Sequence, residues 1–467
     1  MSRKRLLIQM FFDASTNKYP MSFPIPMLLL NIKEDGDELL DLVLEGREMV
    51  KEQKLARIEE IANLINNNTK GYDEFIVNMG EYPADADKFN YFEYFLNLIS
   101  APISVMGPYP DIFKSRVEQF NGYLRGENIK ILKTDYDVRN TYIPDEILDT
   151  YPWIGKKKRA TMKLTWGCPQ ECKMCPVPAI YNGKYKYDRP EDAVRRIVDL
   201  YNRGVRFITF TDDNISASDR RFVTIFKEIE KLELKGLRFH SQEGFEVTAF
   251  KNEEFCKIVA KPTWEQVKLG VENIKADFLQ QIGKYYFDPT DIDIALKNIK
   301  KYNVKDVRFF YLLGLDETEE DVMDNLRYFS KHHVQLRSNV LRKYLGTEMN
   351  DMKLGVNMTE PQMRKLKALS YAISWLSSYK IDLFEKDSFD KFCSQNGYSV
   401  EEKDGVITIK GRTKFGFQSG RFRLALKYMY ENQHGVTDMV VNNDVNGIVT
   451  LRKKETDSEN ESKWFKE

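Results

Sequence analysis

The stretch TWGCPQECKMCPVP, residues 165–178, sets three cysteines, Cys168, Cys172 and Cys175, in the spacing Cys-x3-Cys-x2-Cys. It follows a short β-prone run, TMKLTW (161–166), and precedes a helical pattern, PEDAVRRIVDLYNRG (190–204). A thiol-rich loop after a strand lies where βαβ architectures keep their chemistry, at the C-terminal end of the strand. Three thiolates from one loop can each ligate one iron of a cubane and leave the fourth iron without a protein ligand. Zinc is the alternative, but it asks for four ligands. No fourth Cys or His lies nearby, and the first histidine of the chain is His240. The loop therefore predicts a [4Fe–4S] cluster with one open iron.

Outward from the loop the strand–helix rhythm repeats. Further strand candidates are RFITF (206–210), LRFHS (237–241), VKLGV (267–271), VRFFYLL (307–313) and VQLRSNVL (334–341). Helical patterns separate them: DRRFVTIFKEIEKLELKG (219–236), NEEFCKIVA (252–260), TDIDIALKNIKKYN (290–303) and ETEEDVMDNLRYFSKH (317–332). Several of these open on Pro or on early acidic residues, which are helix start signals. Alternation at this spacing predicts βαβ units and a parallel sheet. Six units predict a partial (β/α)6 barrel over residues 156–350.

Bulk properties narrow the class. Lys plus Arg and Asp plus Glu are 71 each, so no global field points to nucleic acid or to a membrane. No run approaches the ~20 apolar residues of a membrane span. The N-terminal MSRKRLLIQMFFDAS is only loosely like a signal segment, since Asp13 interrupts its apolar run and no small-residue cleavage site follows. It reads as a first buried strand. Three of the five cysteines are clustered, which suggests a metal site in a reducing cytoplasm rather than a disulfide framework. Cys256 and Cys393 read as small core residues.

With these residues in view, the chain resembles the radical S-adenosylmethionine (SAM) superfamily, whose signature is the CxxxCxxC loop after the first strand. The resemblance covers roughly residues 155–350. It implies that the methionine moiety of SAM chelates the open iron. The residue before the third cysteine is usually aromatic and packs on adenine; here Met174 takes that place. Asp212 and Asp213 of Thr211-Asp-Asp-Asn214, after RFITF, match the strand end that contacts the methionine amino group. Glu243, after LRFHS, is a candidate cofactor contact. Glu272, after VKLGV, matches the residue that bonds the ribose hydroxyls. Lys284 matches a basic position near the methionine carboxylate. Leu312, Gly314 and Glu317 match the adenine-binding stretch, while Phe310 departs from it. KYLGTEM (343–349) resembles a Pro-Gly-Thr-Glu turn, with Leu345 in the proline position.

The flanks predict two further domains. Residues 1–155 read as a Rossmann-like open sheet with strands at RLLIQMFF (5–12), DEFIVNMG (73–80), PISVMGP (102–108) and IKILKT (129–134). VMGPYPDIFKSRVEQFNGYLRGE (105–127) resembles a segment of cobalamin-binding-like domains. The histidine that ligates cobalt in such domains is missing, so only binding without a histidine ligand stays open, beside a domain that keeps the fold and lacks the cofactor. Residues 351–455 read as a small α+β domain. Its marks are a helix at EPQMRKLKALSYAISWLSSYKIDLF (360–384), a hairpin turning at Asp404-Gly405 and a second hairpin turning at Val445-Asn446-Gly447. Residues 456–467 read as a disordered tail.

The expected activity is reductive cleavage of SAM to a 5′-deoxyadenosyl radical. Cobalamin-dependent methylation of a small-molecule or peptide substrate would follow from it, or a cobalamin-independent rearrangement, dehydrogenation or cyclisation. The electron would come from a flavodoxin or ferredoxin. A non-enzymatic iron–sulfur electron-transfer or scaffold protein is the alternative class. A methylthiotransferase would need a second cysteine triad upstream, and no cysteine precedes Cys168.

Overall fold

Runs of buried apolar residues make the first sheet. The computed structural model describes residues 4–10, 27–42, 50–68, 70–79, 91–107, 110, 114, 117–118, 129–134, 159–181, 183–341, 347–352, 357–411, 420–437, 439–443 and 448–453. Strands β1 (Arg5–Met10), β2 (Glu38–Asp41), β3 (Glu74–Met79), β4 (Ile103–Met106) and β5 (Ile129–Ile131) form a parallel sheet in the order β2-β1-β3-β4-β5. Every residue of β1 is buried, as expected for a parallel strand covered on both faces. Ile58, Ile61 and Ile65 of the helix Lys51–Asn67 share one core with Phe92, Phe95, Ile8 and Val77. Leu7, Ile76 and Met106 belong to a second, smaller core with Leu29. The ELLD strand β2 has no counterpart in the sequence reading. It is a short edge strand, and its apolar pair followed by Leu42 and Val43 carries no alternation that marks a strand.

The chain separates into two compact units, Met1–Glu265 with Ile282–Tyr286 and Arg342–Met352, and Gln266–Gln281 with Phe287–Leu341 and Lys353–Glu467. In the first unit, β6 (Arg159–Met162), β9 (Phe207–Phe210) and β10 (Arg238–Ser241) form a parallel sheet in the order β10-β9-β6. Between them in sequence, β7 (Thr165–Trp166) and β8 (Lys186–Tyr187) make a small antiparallel pair. TMKLTW is thus two strands rather than one: the chain leaves the parallel sheet after Met162 and turns to pair with β8. Phe210, Phe222, Phe226, Phe239 and Trp264 interlock behind this sheet with ring centroids 4.5–6.0 Å apart. Abundant phenylalanine here serves packing.

In the second unit, β11 (Val267–Glu272), β12 (Val307–Leu313) and β13 (Gln335–Val340) form another parallel sheet in sequence order. The six predicted parallel strands are therefore present, as two three-stranded sheets. The same unit holds an antiparallel sheet in the order β14-β15-β17-β16, from β14 (Ser399–Lys403), β15 (Val406–Lys410), β16 (Met439–Asn443) and β17 (Val449–Lys453). Asp404 and Gly405 both take positive φ, 52° and 72°, as a two-residue hairpin turn requires. The helix Glu360–Leu376 also matches the sequence reading, and a second helix spans Gly420–His434. Most of the segment 108–128, the turn 445–447, Leu345, Gly346 and the tail 456–467 lie outside the described residues.

Candidate functional site

Backbone donors released by the split of TMKLTW need acceptors, and two carboxylates supply them. Asp212, only 1% exposed, follows β9. Its Oδ1 accepts from Leu164 N at 3.0 Å, Thr165 N at 2.6 Å and Thr165 Oγ1 at 2.8 Å. Asp213 Oδ2 accepts from Gly167 N at 3.1 Å and from Lys163 Nζ at 3.0 Å. Lys163 Nζ also donates to the Tyr181 hydroxyl at 3.1 Å. The Asp-Asn-bearing strand end is thus the anchor for the first half of the cysteine loop. Gly167 sits at φ +78°, and a Cβ there would collide with the Lys184 carbonyl oxygen beside β8.

Burial lifts the Asp212 carboxyl up to about 6, against the opposing pull of Thr165 and Lys163. A folded-state value above the ordinary 3.8 means that the folded chain holds this proton more tightly. The associated stability is fully present below about pH 4 and is lost as pH rises through about 6. Asp212→Asn is expected to flatten the stability–pH curve in that window, as read by thermal melts between about pH 4 and 7. An unaltered curve would contradict the assignment.

All three loop cysteines are half-buried. Burial pushes the Cys168 thiol up to about 11 and the Cys175 thiol up to about 12, and the neighbouring thiols add to both shifts. The loop closes on itself through Cys175 N donating to Cys172 O at 2.9 Å. Among the described residues, no three His, Cys, Asp or Glu side chains converge as they would on a single metal ion. A cubane makes a different demand. Each cysteine binds its own iron, so three soft donors on one loop, electrostatically in reach of one another, fit it.

The far side of the loop rests on Ile282–Tyr286. Lys173 N donates to Ile282 O at 2.9 Å, and Met349 N donates to Lys173 O at 3.0 Å. A Cβ on Gly283 (φ +76°) would come within 2.8 Å of Glu171 O. This backbone-to-backbone seat carries Lys284, which is 5% exposed, and Tyr286 to the cysteines. Burial raises the Tyr286 hydroxyl, with Lys284, Cys172 and Glu246 as its charged neighbours. Met174, half-buried, sits within the loop.

A polar network that the sequence did not reveal joins the loop to the end of β10. Asn214 Nδ2 donates to Cys168 Sγ at 3.3 Å and to Glu246 Oε1 at 2.5 Å. Gln170 Nε2, from the loop, donates to the same Glu246 oxygen at 2.9 Å. Glu243, singled out in the sequence, is exposed, and Glu246, three residues on, is the carboxylate that meets the loop. No local pattern marks Glu246.

In the second unit, Glu272 ends β11 at φ +63°, where the register shifts against β12. The next residue, Asn273, is fully buried and donates to Glu317 Oε1 at 2.8 Å. Glu317, 1% exposed, also accepts from the Tyr311 hydroxyl at 3.2 Å, Gly314 N at 3.0 Å and Leu315 N at 3.4 Å. It is a brace for the strand ends that carry Leu312 and Gly314. Glu317→Ala strands these buried donors and is expected to cost on the order of 4 kcal/mol. Urea unfolding reads this, and a loss under about 1 kcal/mol would contradict the bracing role.

Residues 162–329 match the radical SAM superfamily. The chain is 23% identical over 216 residues to an uncharacterized methyltransferase of Synechocystis sp., covering 44% of this chain and 39% of that one. It is 24% identical over 223 residues to the tRNA-2-methylthio-N(6)-dimethylallyladenosine synthase of Clostridium beijerinckii, covering 44% and 47%. The chain thus spans less than half the length of these curated relatives. By fold it is similar to the radical SAM methyltransferase TsrM of Kitasatospora setae, solved with cobalamin and a [4Fe–4S] cluster bound (TM-score 0.55, 14% identity, 75% and 74% of the two chains). It is also similar to the cobalamin-dependent SAM radical enzyme OxsB, solved with aqua-cobalamin and SAM (TM-score 0.52, 12% identity, 83% and 68%).

Proposed function

We propose that this chain, which carries a radical SAM superfamily domain over residues 162–329, is an enzyme that holds a [4Fe–4S] cluster on Cys168, Cys172 and Cys175 and cleaves SAM reductively. The observation that carries the reading is the donor set: three mutually interacting thiols on one anchored loop at a strand end, with an amide N–H aimed at one sulfur. When bound, the cluster supplies the electron that splits the SAM sulfonium and releases a 5′-deoxyadenosyl radical for hydrogen abstraction from the substrate. The protein's part is to bind, orient and exclude water. In the first unit, Asp213, Lys284 and Met174 are the groups offered to the methionine and adenine portions. Asp212 acts behind them as an anchor. Anaerobic reconstitution, dithionite reduction and chromatography test this: 5′-deoxyadenosine should accumulate with SAM. Cluster-loaded protein that releases none would refute it and favour an electron-transfer or scaffold role.

The finer reading is methyl transfer with cobalamin seated on the N-terminal sheet. Its support is that sheet itself: five parallel strands covered on both faces, with the strand order reversing between β1 and β3. Open α/β sheets bind ligands at such a reversal. Buried Asn78 and Gln9 pair there at 2.7 Å, and Gly107 (φ +104°) leaves no room for a Cβ against Asn78. Cobalamin would bind without a histidine ligand, since none precedes His240. Loss of corrinoid absorbance on gel filtration after loading with hydroxocobalamin would select the cobalamin-independent chemistries instead. The substrate is a small molecule or peptide, the electron donor a flavodoxin or ferredoxin, and the setting cytoplasmic. Among the described residues no helix is long and apolar enough to cross a membrane.

A further inference from the structure

We infer that Asn214 and Glu246 together set the reduction potential of the cluster on Cys168, with Glu246 the positioning residue for the Asn214 amide; the inference rests on the cluster reading above. Asn214 Nδ2 carries two hydrogens and has two acceptors, Cys168 Sγ at 3.3 Å and Glu246 Oε1 at 2.5 Å. The other end of the amide accepts from Ser216 Oγ at 3.3 Å, which orients the group with its nitrogen toward the sulfur. Ser216 Oγ in turn accepts from Glu246 N at 2.7 Å. Asn214, Ser216 and Glu246 therefore form a closed ring of hydrogen bonds. Gln170 Nε2, at 2.9 Å from Glu246 Oε1, ties that ring to the cysteine loop, and Thr248 Oγ1 holds the second carboxylate oxygen at 3.3 Å. With Asn214 buried, the amide has little freedom to turn away.

Two opposing effects meet at one sulfur. An N–H donated to a ligand sulfur stabilises the more negative, reduced cluster, so it raises the potential. A carboxylate close to that sulfur disfavours added negative charge and lowers it. Asn214→Leu keeps the branched shape and removes the donor. Glu246→Gln keeps the shape and an acceptor oxygen but removes the charge. The two variants must move the potential in opposite directions, which a purely structural role would not do.

The test is an EPR-monitored redox titration of the anaerobically reconstituted full chain without SAM, with iron content as the control for an intact loop. At a fixed applied potential, Asn214→Leu is expected to hold about tenfold less reduced cluster and Glu246→Gln about tenfold more. Tenfold is ~59 mV each for a one-electron couple. Should Asn214→Leu bind no iron, the near-isosteric Glu246→Gln carries the test alone, and its potential must rise. Full iron with unchanged potentials, or shifts of one sign in both variants, overturns this inference and leaves the cluster reading standing. A wild-type chain that takes up no cluster overturns both.

Discussion

Cys172→Ala is expected to retain iron only at background level after reconstitution and to release no 5′-deoxyadenosine. The loop offers three thiols and no substitute donor: no histidine precedes His240, and Cys256 and Cys393 are buried elsewhere. The fold itself should survive. Cys172 is half-buried, so losing its sulfur costs under about 1 kcal/mol. Cys256 is the opposite case. It is fully buried, and its thiol donates to Phe250 O at 3.3 Å. Cys256→Ala is expected to lower stability by about 1–2 kcal/mol and leave iron content unchanged. Iron analysis beside urea unfolding separates the two. Wild-type iron in Cys172→Ala would contradict the assignment of the loop.

Gly167→Ala is the largest backbone effect expected. Residue 167 has φ +78°, where a side chain costs roughly 1–2 kcal/mol. Its methyl would also meet the Lys184 carbonyl oxygen, a backbone atom of the segment leading into β8 that cannot swing aside. Together these put the cost on the order of 3–4 kcal/mol. The loop can escape only by giving up Gly167 N to Asp213, and with it the placement of Cys168 one residue on. A lowered unfolding midpoint and incomplete iron loading are the expected pair of results. A variant with wild-type stability and full iron would show that the loop is not held as described.

What the residue pattern revealed and what it hid follow from physical range. VRFFYLL and VKLGV are strands because β-branched and aromatic residues crowd a buried sheet, and that is a local signal. The Asp404-Gly405 turn is equally local. The cysteine spacing was legible because cluster ligation from one loop is a constraint along the sequence. Glu246, by contrast, meets Asn214 across 32 residues and Gln170 across 76. A carboxylate's partner at that separation leaves no trace in periodicity, and the residue next to the strand end, exposed Glu243, is the one the sequence points to. Lys284 alone would be taken for a surface lysine; the close approach of Gly283 to the cysteine loop buries it. Asp212 was expected to face a ligand. Its Oδ1 instead serves backbone and hydroxyl donors released where one expected strand became two.

The central claim is that three cysteines hold a cluster whose open iron receives SAM. The EPR spectrum of the dithionite-reduced, reconstituted protein, recorded with and without SAM, tests it most directly. A ligand on the open iron must perturb the cluster's electronic structure, so a [4Fe–4S] signal whose g-values change on adding SAM is predicted. A spectrum with no cluster signal, or one that SAM leaves unchanged, would contradict the account.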